Sequence, residues 1–247
     1  MTTLGIIFLV FLIGYVLIKR RDLIRLNLRI RRLNYIQLVV VFVLLIFIIN
    51  FIDKKLAYEI SNRYPQGLLA VYPTLNENLT NFFKIITHLG EPDFIAIGAL
   101  PIFLYSKYKK DKNLETIILK LIVIMVFASL ISTVLKVFVM RSRPYQGWNN
   151  LGFYFILDSL QNRIPFNGNY MSFPSGHTLV ASATYFFLAL VSKEKYIKIF
   201  WVILAILVAI SRVYLSYHWL SDVFISLIIG LFLAKKYKET FIEKEIK

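Results

Sequence analysis

FPSGHTLVASATYFFLAL, residues 173–190, places a polar head, Pro174-Ser175-Gly176-His177, directly before a run of mostly apolar residues. The run from Thr178 to Leu190 suits a buried or lipid-facing helix. Ser172 is a candidate N-cap, and Pro174 suits the first helical position, where a missing N–H costs nothing. The spacing therefore predicts a helix that starts at Pro174. The first N–H groups of such a helix lack intrahelical partners, and its dipole is positive at that end. Gly176 lets a ligand approach the backbone, and His177 stands beside it as a proton donor. Taken alone, the four residues fit an anion cradle and equally a capped helix with an interfacial histidine.

Hydrophobic residues make up 58% of the 247-residue chain and charged residues 17%, against about 45–50% and about 25% in soluble domains. Mean hydropathy is +0.66. The expected solvent is a lipid bilayer, and the length suits one domain. The net charge is +15, from 29 Lys and Arg against 14 Asp and Glu. In a soluble protein that excess points toward nucleic acid. Here the basic residues cluster between apolar runs, the pattern of cytoplasmic loops in a membrane protein, so no nucleic-acid partner is expected. The chain has no cysteine, which excludes disulfides and thiolate metal sites.

Apolar runs at residues 35–52, 91–108, 117–140, 174–191, 199–215 and 219–233 approach the roughly 20 residues that a membrane span needs. The expected fold class is all-α, a polytopic membrane bundle with a six-helix core over residues 35–234. Pro101 interrupts the second run. A further apolar segment, residues 4–18, lacks a basic n-region and a small-residue cleavage site, so it is read as retained, either spanning or lying in the interface. Residues 1–34 then form this segment plus a basic stretch, and residues 235–247 form a charged tail. Basic clusters fall at residues 19–32 and in KYKKDKN, SKEKYIK and AKKYK. Alternation through six spans puts all four on one side, which the positive-inside rule makes cytoplasmic. Connections 53–90, 141–173 and 216–218 then face outward. Leu23, Leu26, Ile30 and Leu33 fit either an interfacial helix or an ordinary positive anchor.

Several chemistry-bearing residues collect on that outer face. Lys136 lies near the outer end of its apolar run, where a lysine also simply snorkels, and Arg143-Pro144 follows where the chain leaves the membrane. Arg212 sits near the outer end of the next-to-last helix. His218 and Asp222 share a helical face at i and i+4, so the carboxylate can orient the ring. As a lone pair they also fit a structural hydrogen bond or two metal ligands. A metal site needs more ligands, and His88 has no spacing that recruits it, so neither metal nor cofactor is expected. Three fixed cations suit a phosphoryl group, whose transition-state charge spreads over its oxygens. One histidine then suits a nucleophile and the other an acid for the leaving group.

Lys136-x6-Arg143-Pro144, Pro174-Ser175-Gly176-His177 and Ser211-Arg212-x5-His218-x3-Asp222 together resemble the three-part signature of the type 2 phosphatidic acid phosphatase superfamily. All three parts occur in the family's order with no signature position substituted, over Lys136 to Asp222. The family's six-helix membrane core matches the run of spans. By this resemblance His218 attacks phosphorus and forms a phosphohistidine, and Asp222 holds it in the attacking tautomer. His177 protonates the leaving oxygen and then activates water. Lys136, Arg143, Arg212, Ser175 and the backbone at Gly176 hold the phosphate, with no metal. Neighbouring cations are expected to lower the pKa of His218 and Asp222 to raise it.

The resemblance implies a multi-pass inner-membrane phosphatase of bacterial type, its site on the periplasmic face, acting on a lipid phosphate or pyrophosphate held in the bilayer. Lipid A 1-phosphate, phosphatidylglycerophosphate and undecaprenyl pyrophosphate are the candidates. A phosphotransferase would use the same residues, and a non-catalytic relative would usually lack one of them. Trp148, Tyr154, Phe155, Phe166 and Tyr170 fit an interfacial aromatic belt or an entrance to the site.

Overall fold

The computed structural model describes residues 3–24, 35–62, 77–146 and 152–245. The basic stretch from Arg25 to Asn34, including Leu26, Ile30 and Leu33, lies outside them, as does Trp148. Ten α-helices dominate the described residues: α1 (Thr3–Lys19), α2 (Tyr35–Phe47), α3 (Lys54–Asn62), α4 (Glu77–His88), α5 (Pro92–Tyr108), α6 (Lys112–Phe138), α7 (Ile156–Leu160), α8 (Gly176–Val191), α9 (Lys195–Tyr214) and α10 (Leu220–Glu245). A π-helical stretch, Ile48–Asp53, joins α2 to α3 in one continuous rod.

Three helices, Ile36–Glu59, α6 and α9, are each long and apolar enough to cross a membrane. The pair α4 and α5, bent by 64° at a short break, is together long and apolar enough for a fourth crossing, with the geometry of a broken span or a re-entrant loop. Helix α8 has only 16 residues, about 24 Å of helix. It is the centre of the bundle, packed by α6, α9 and α10, with ten of its residues buried. Protein rather than lipid surrounds it, so bilayer thickness does not dictate its length. The outer helices are inverted relative to a soluble protein: only 11% of the α2–α3 span window is buried, and Phe42 and Phe51 are exposed. These are the surfaces that lipid covers.

Small residues set the closest helix approach. A Cβ added to Gly230 of α10 would stand 1.9 Å from Ser182 Oγ and 2.8 Å from the Ala183 nitrogen of α8. Without a water-driven hydrophobic force between helices in lipid, such close backbone packing carries much of the association.

Helix α1 packs against α5. Its first turn abuts the start of α5, where a Cβ on Gly5 would meet Asp93 Cβ at 2.3 Å. Its last turns meet the end of α5: Tyr15 packs edge-on to Phe103 with ring centroids 5.1 Å apart. Lys107 donates to Tyr15 Oη and pairs with Glu115 at 2.8 Å. The segment therefore runs along α5, and Leu12 and Val16 belong to the same core cluster as residues of α6 and α8.

Three expectations are corrected. Helix α8 starts at Gly176 with Ser175 as N-cap, not at Pro174 with Ser172. The side chain and carbonyl of Ser172 are committed to Asp222 and His218, which holds this segment extended. The Phe173-Pro174 peptide bond is cis. Second, within the all-α bundle that the sequence predicts, the end of apolar run 117–140 and part of connection 141–173 form a short two-stranded hairpin. Strand β1 (Val139–Arg141) continues from α6 and pairs antiparallel with β2 (Phe153–Phe155), with Arg141 opposite Phe153. Third, helices outrun their apolar runs: α3 extends the first core helix to Asn62, and α10 continues to Glu245 through charged helix-formers, with Lys236 and Glu239 paired at 2.9 Å.

Candidate active site

The residues singled out by sequence converge at one end of the bundle, opposite the basic ends of α1, α5 and α10 and the basic turn after α8. Helix α6 brings up Lys136 in its last turn. Its Nζ lies 3.4 Å from where a Cβ on Gly176 would sit. The tighter neighbour is Ser132 Oγ at 3.1 Å, so glycine at the head of α8 lets α6 pack closely here with the ammonium alongside. Ser175 is fully buried, and its Oγ is shared with Thr178 Oγ1 at 2.9 Å.

Arg143 leaves the strand and is held by carbonyls. Its Nε donates to Gly168 O at 2.8 Å and its Nη1 to Tyr217 O at 3.0 Å. Arg212, in the last turn of α9, donates from Nη1 to Thr87 Oγ1 at 2.6 Å and stacks over the Tyr217 ring at 4.5 Å. The carbonyl of Arg212 accepts the N–H groups of Tyr217 (3.1 Å) and His218 (3.2 Å). Ser216 in between takes a left-handed conformation, φ 55°. This tight turn is why five residues separate Arg212 from His218.

His218 is 2% exposed. Its Nδ1 donates to the Ser172 carbonyl at 2.7 Å, and Asp222 Oδ2 stands further off, at 3.6 Å. A carbonyl only accepts, so Nδ1 carries the hydrogen and Nε2 keeps its lone pair. Asp222 acts one step back: its Oδ2 accepts from Ser172 Oγ and from the Trp219 N–H at 3.1 Å. Burial, then the charges of Arg143, Arg212 and Lys136, push the His218 pKa well below its usual 6.5, against the opposing hydrogen bond to Ser172. This environment favours the neutral imidazole over the imidazolium. His177, in the first turn of α8, is partly exposed and has Nε2 3.5 Å from Glu91 Oε1. Glu91 also meets His88 Nδ1 at 3.0 Å.

Sequence reasoning missed a buried polar layer beneath this constellation. Arg141, with no exposed surface, reaches Asp222 Oδ1 at 2.5 Å and Ser221 Oγ at 2.7 Å through Nη1, and Asp53 Oδ2 at 2.8 Å through Nη2. Its guanidinium carbon lies 4.4 Å from the Phe153 ring centroid and 5.1 Å from that of Trp219. Arg141 sits in the spacer between Lys136 and Arg143, and Asp53 is the first carboxylate after an apolar run. Either reads as an ordinary membrane-edge charge. Among the described residues no three His, Asp or Glu side chains cluster as metal ligands do. The carboxylates of Asp53 and Asp222 are bridged by a guanidinium instead.

The chain matches the PAP2 superfamily over residues 117–241, half of its length. It is a member of that superfamily. It is 32% identical over 192 residues to phosphatidylglycerophosphatase B of Bacillus subtilis (strain 168), covering 70% of this chain and 80% of that protein. In fold it resembles the crystal structure of a transmembrane PAP2 type phosphatidylglycerolphosphate phosphatase from Bacillus subtilis. The TM-score is 0.57 and the identity 24%, covering 85% of this chain and 96% of that one. Aquifex aeolicus LpxE matches with a TM-score of 0.53 and 21% identity, covering 76% of this chain and 94% of that one. The protein is a multi-pass membrane lipid phosphatase of the PAP2 type.

Proposed function

We propose that this phosphatase removes the terminal phosphate of phosphatidylglycerophosphate through a phosphohistidine on His218, with no metal. The observation that carries the mechanism is the hydrogen bond from His218 Nδ1 to the Ser172 carbonyl, 2.7 Å long, within a buried site facing three cations. It leaves Nε2 as the attacking atom. In the first step the Nε2–P bond forms and the P–O bond to the glycerol breaks. The leaving oxygen takes a proton from His177. Lys136, Arg143, Arg212 and the N–H groups at the head of α8, next to Ser175 and Gly176, take the charge spread over the phosphoryl oxygens. In the second step a water oxygen bonds to phosphorus, the P–N bond breaks, and His177 receives the water's proton.

The similarity to phosphatidylglycerophosphatase B supports the choice of lipid. The basic clusters at the end of α1, between α5 and α6, between α8 and α9 and along the end of α10 lie opposite the site, which by the positive-inside rule supports a site on the outer leaflet face. There the lipid keeps its tails in the bilayer and presents only its headgroup. The test is phosphate release by the purified protein in detergent from phosphatidylglycerophosphate, lipid A 1-phosphate and undecaprenyl pyrophosphate, each with and without EDTA. Fastest release from the first, unchanged by EDTA, is expected. Preference for either other lipid overturns the substrate, and loss with EDTA overturns the metal-free chemistry.

A further inference from the structure

Arg141 has no exposed surface and Asp53 almost none, yet a chain of contacts leads from them to the His218 ring. The chain of contacts is continuous. His218 is fixed by the Ser172 carbonyl, the Ser172 hydroxyl is held by Asp222, and Asp222 is held by Arg141. Arg141 is held in turn by Asp53, at the end of the π-helical stretch, and Asp53 Oδ1 accepts the Ser221 N–H at 3.0 Å. The strand that bears Arg141 also ties Ser172 directly, since the Ser172 N–H donates to the Arg141 carbonyl at 3.0 Å. Trp219, which packs on the guanidinium, donates from Nε1 to the Ser142 carbonyl at 2.7 Å.

We infer that Arg141 and Asp53 are positioning residues for the phosphatase reaction: Arg141 clamps Asp222, and through Asp222 and Ser172 it holds His218 in line with phosphorus. The clamp rests on His218 being the nucleophile proposed above. Two further points separate it from generic packing. A fully buried guanidinium that contacts two rings and bridges two carboxylates presents its fork in a fixed geometry to Asp222. The charges are also nearly balanced: two carboxylates and one guanidinium leave a single net negative charge beneath a neutral His218. The other charged or titratable groups facing His218 are Lys136 on α6, Arg143 after β1, His177 on α8 and Arg212 on α9.

The test uses the full-length enzyme in detergent, with kcat, KM, the pH profile of kcat/KM and a thermal melt for each variant. Arg141→Met removes the clamp and leaves two uncompensated carboxylates. It should lower kcat about 100-fold with KM little changed, the loss expected for a catalytic group misplaced by about 1 Å. It should also move the acid limb of the profile to higher pH, because Asp222 then acts on His218 unopposed. Arg141→Met with Asp53→Asn restores the net charge of the native layer but not the fork. The acid limb and the melt should return toward native while kcat stays low. Recovery of kcat in that pair would show that only charge balance matters and would overturn the clamp. Asp53→Asn alone keeps its shape and should lower kcat about tenfold, the loss expected from one charge-assisted hydrogen bond. Native kcat in folded Asp53→Asn or Arg141→Met enzyme overturns the proposal by itself. Failure of the phosphohistidine reading would show differently, as phosphate release persisting in His218→Ala.

Discussion

Replacing Gly230 by alanine tests whether the α8–α10 contact governs both stability and catalysis. The added Cβ would sit 1.9 Å from Ser182 Oγ, 2.7 Å from Ser182 Cβ and 2.8 Å from the Ala183 nitrogen. The serine hydroxyl can rotate away, but the Ala183 backbone cannot. Bringing that contact from 2.8 Å to an ordinary 3.4 Å parts the helices by about 0.6 Å. Overpacking of this kind costs about 1–3 kcal/mol. For a chain of this size that lowers Tm by about 2–12 °C. Because α8 carries His177 and α10 carries Asp222, about 12 Å along the helix from Gly230, kcat should fall with Tm. Ser182→Gly in the Gly230→Ala background removes two of the three clashes and should recover part of both losses. The assay is a thermal melt in detergent beside phosphate release at a temperature where both variants are folded. A Gly230→Ala enzyme with native Tm and native kcat would refute the packing argument.

The depressed pKa of His218 makes two further predictions. The neutral form persists below pH 6.5, so His218 should place no acid limb in kcat/KM near its ordinary value. The stability sign is also set: the unfolded imidazole takes up a proton near pH 6.5 while the folded one resists. Stability is therefore full above pH 6.5 and falls as pH drops below it, and a His218→Gln variant should flatten the slope of Tm between pH 6.5 and 5. Arg143→Lys should raise KM or lower kcat at least about tenfold, since a single ammonium cannot serve both Gly168 and Tyr217 carbonyls while facing a phosphate. Steady-state kinetics with phosphatidylglycerophosphate check this. Gly5→Leu should lower Tm in a thermal melt, because even a Cβ at this position would stand 2.3 Å from Asp93 Cβ at the start of α5.

The membrane class, the main helices and the signature residues were legible because each depends on local pattern. Apolar runs mark spans, and Lys136, His177, Arg212 and His218 are polar residues at helix ends where solvation alone does not demand them. The start of α8 was misread because Ser172 has the composition of an N-cap, while its hydroxyl is spent on Asp222, fifty residues away. No local pattern reports such a partner. The same holds for Asp53 and Arg141, whose pairing joins the first core helix to the strand after α6. The β1–β2 hairpin escaped notice because strands of three residues carry too little alternation to be read. The continuation of α10 past its apolar run follows helix propensity in KKYKETFIEKE, which a hydropathy reading ignores.

The most direct measurement is capture of the phosphoryl group on the protein. The enzyme would be mixed with lipid labelled in its terminal phosphate, quenched in alkali, where a phosphohistidine survives and phosphate esters of serine do not, and digested for mass spectrometry. Label on the peptide containing His218, absent from His218→Ala and lost on continued turnover before quenching, is the expected result. Rapid phosphate release with no label on the wild-type protein, or label on a residue other than His218, would contradict it.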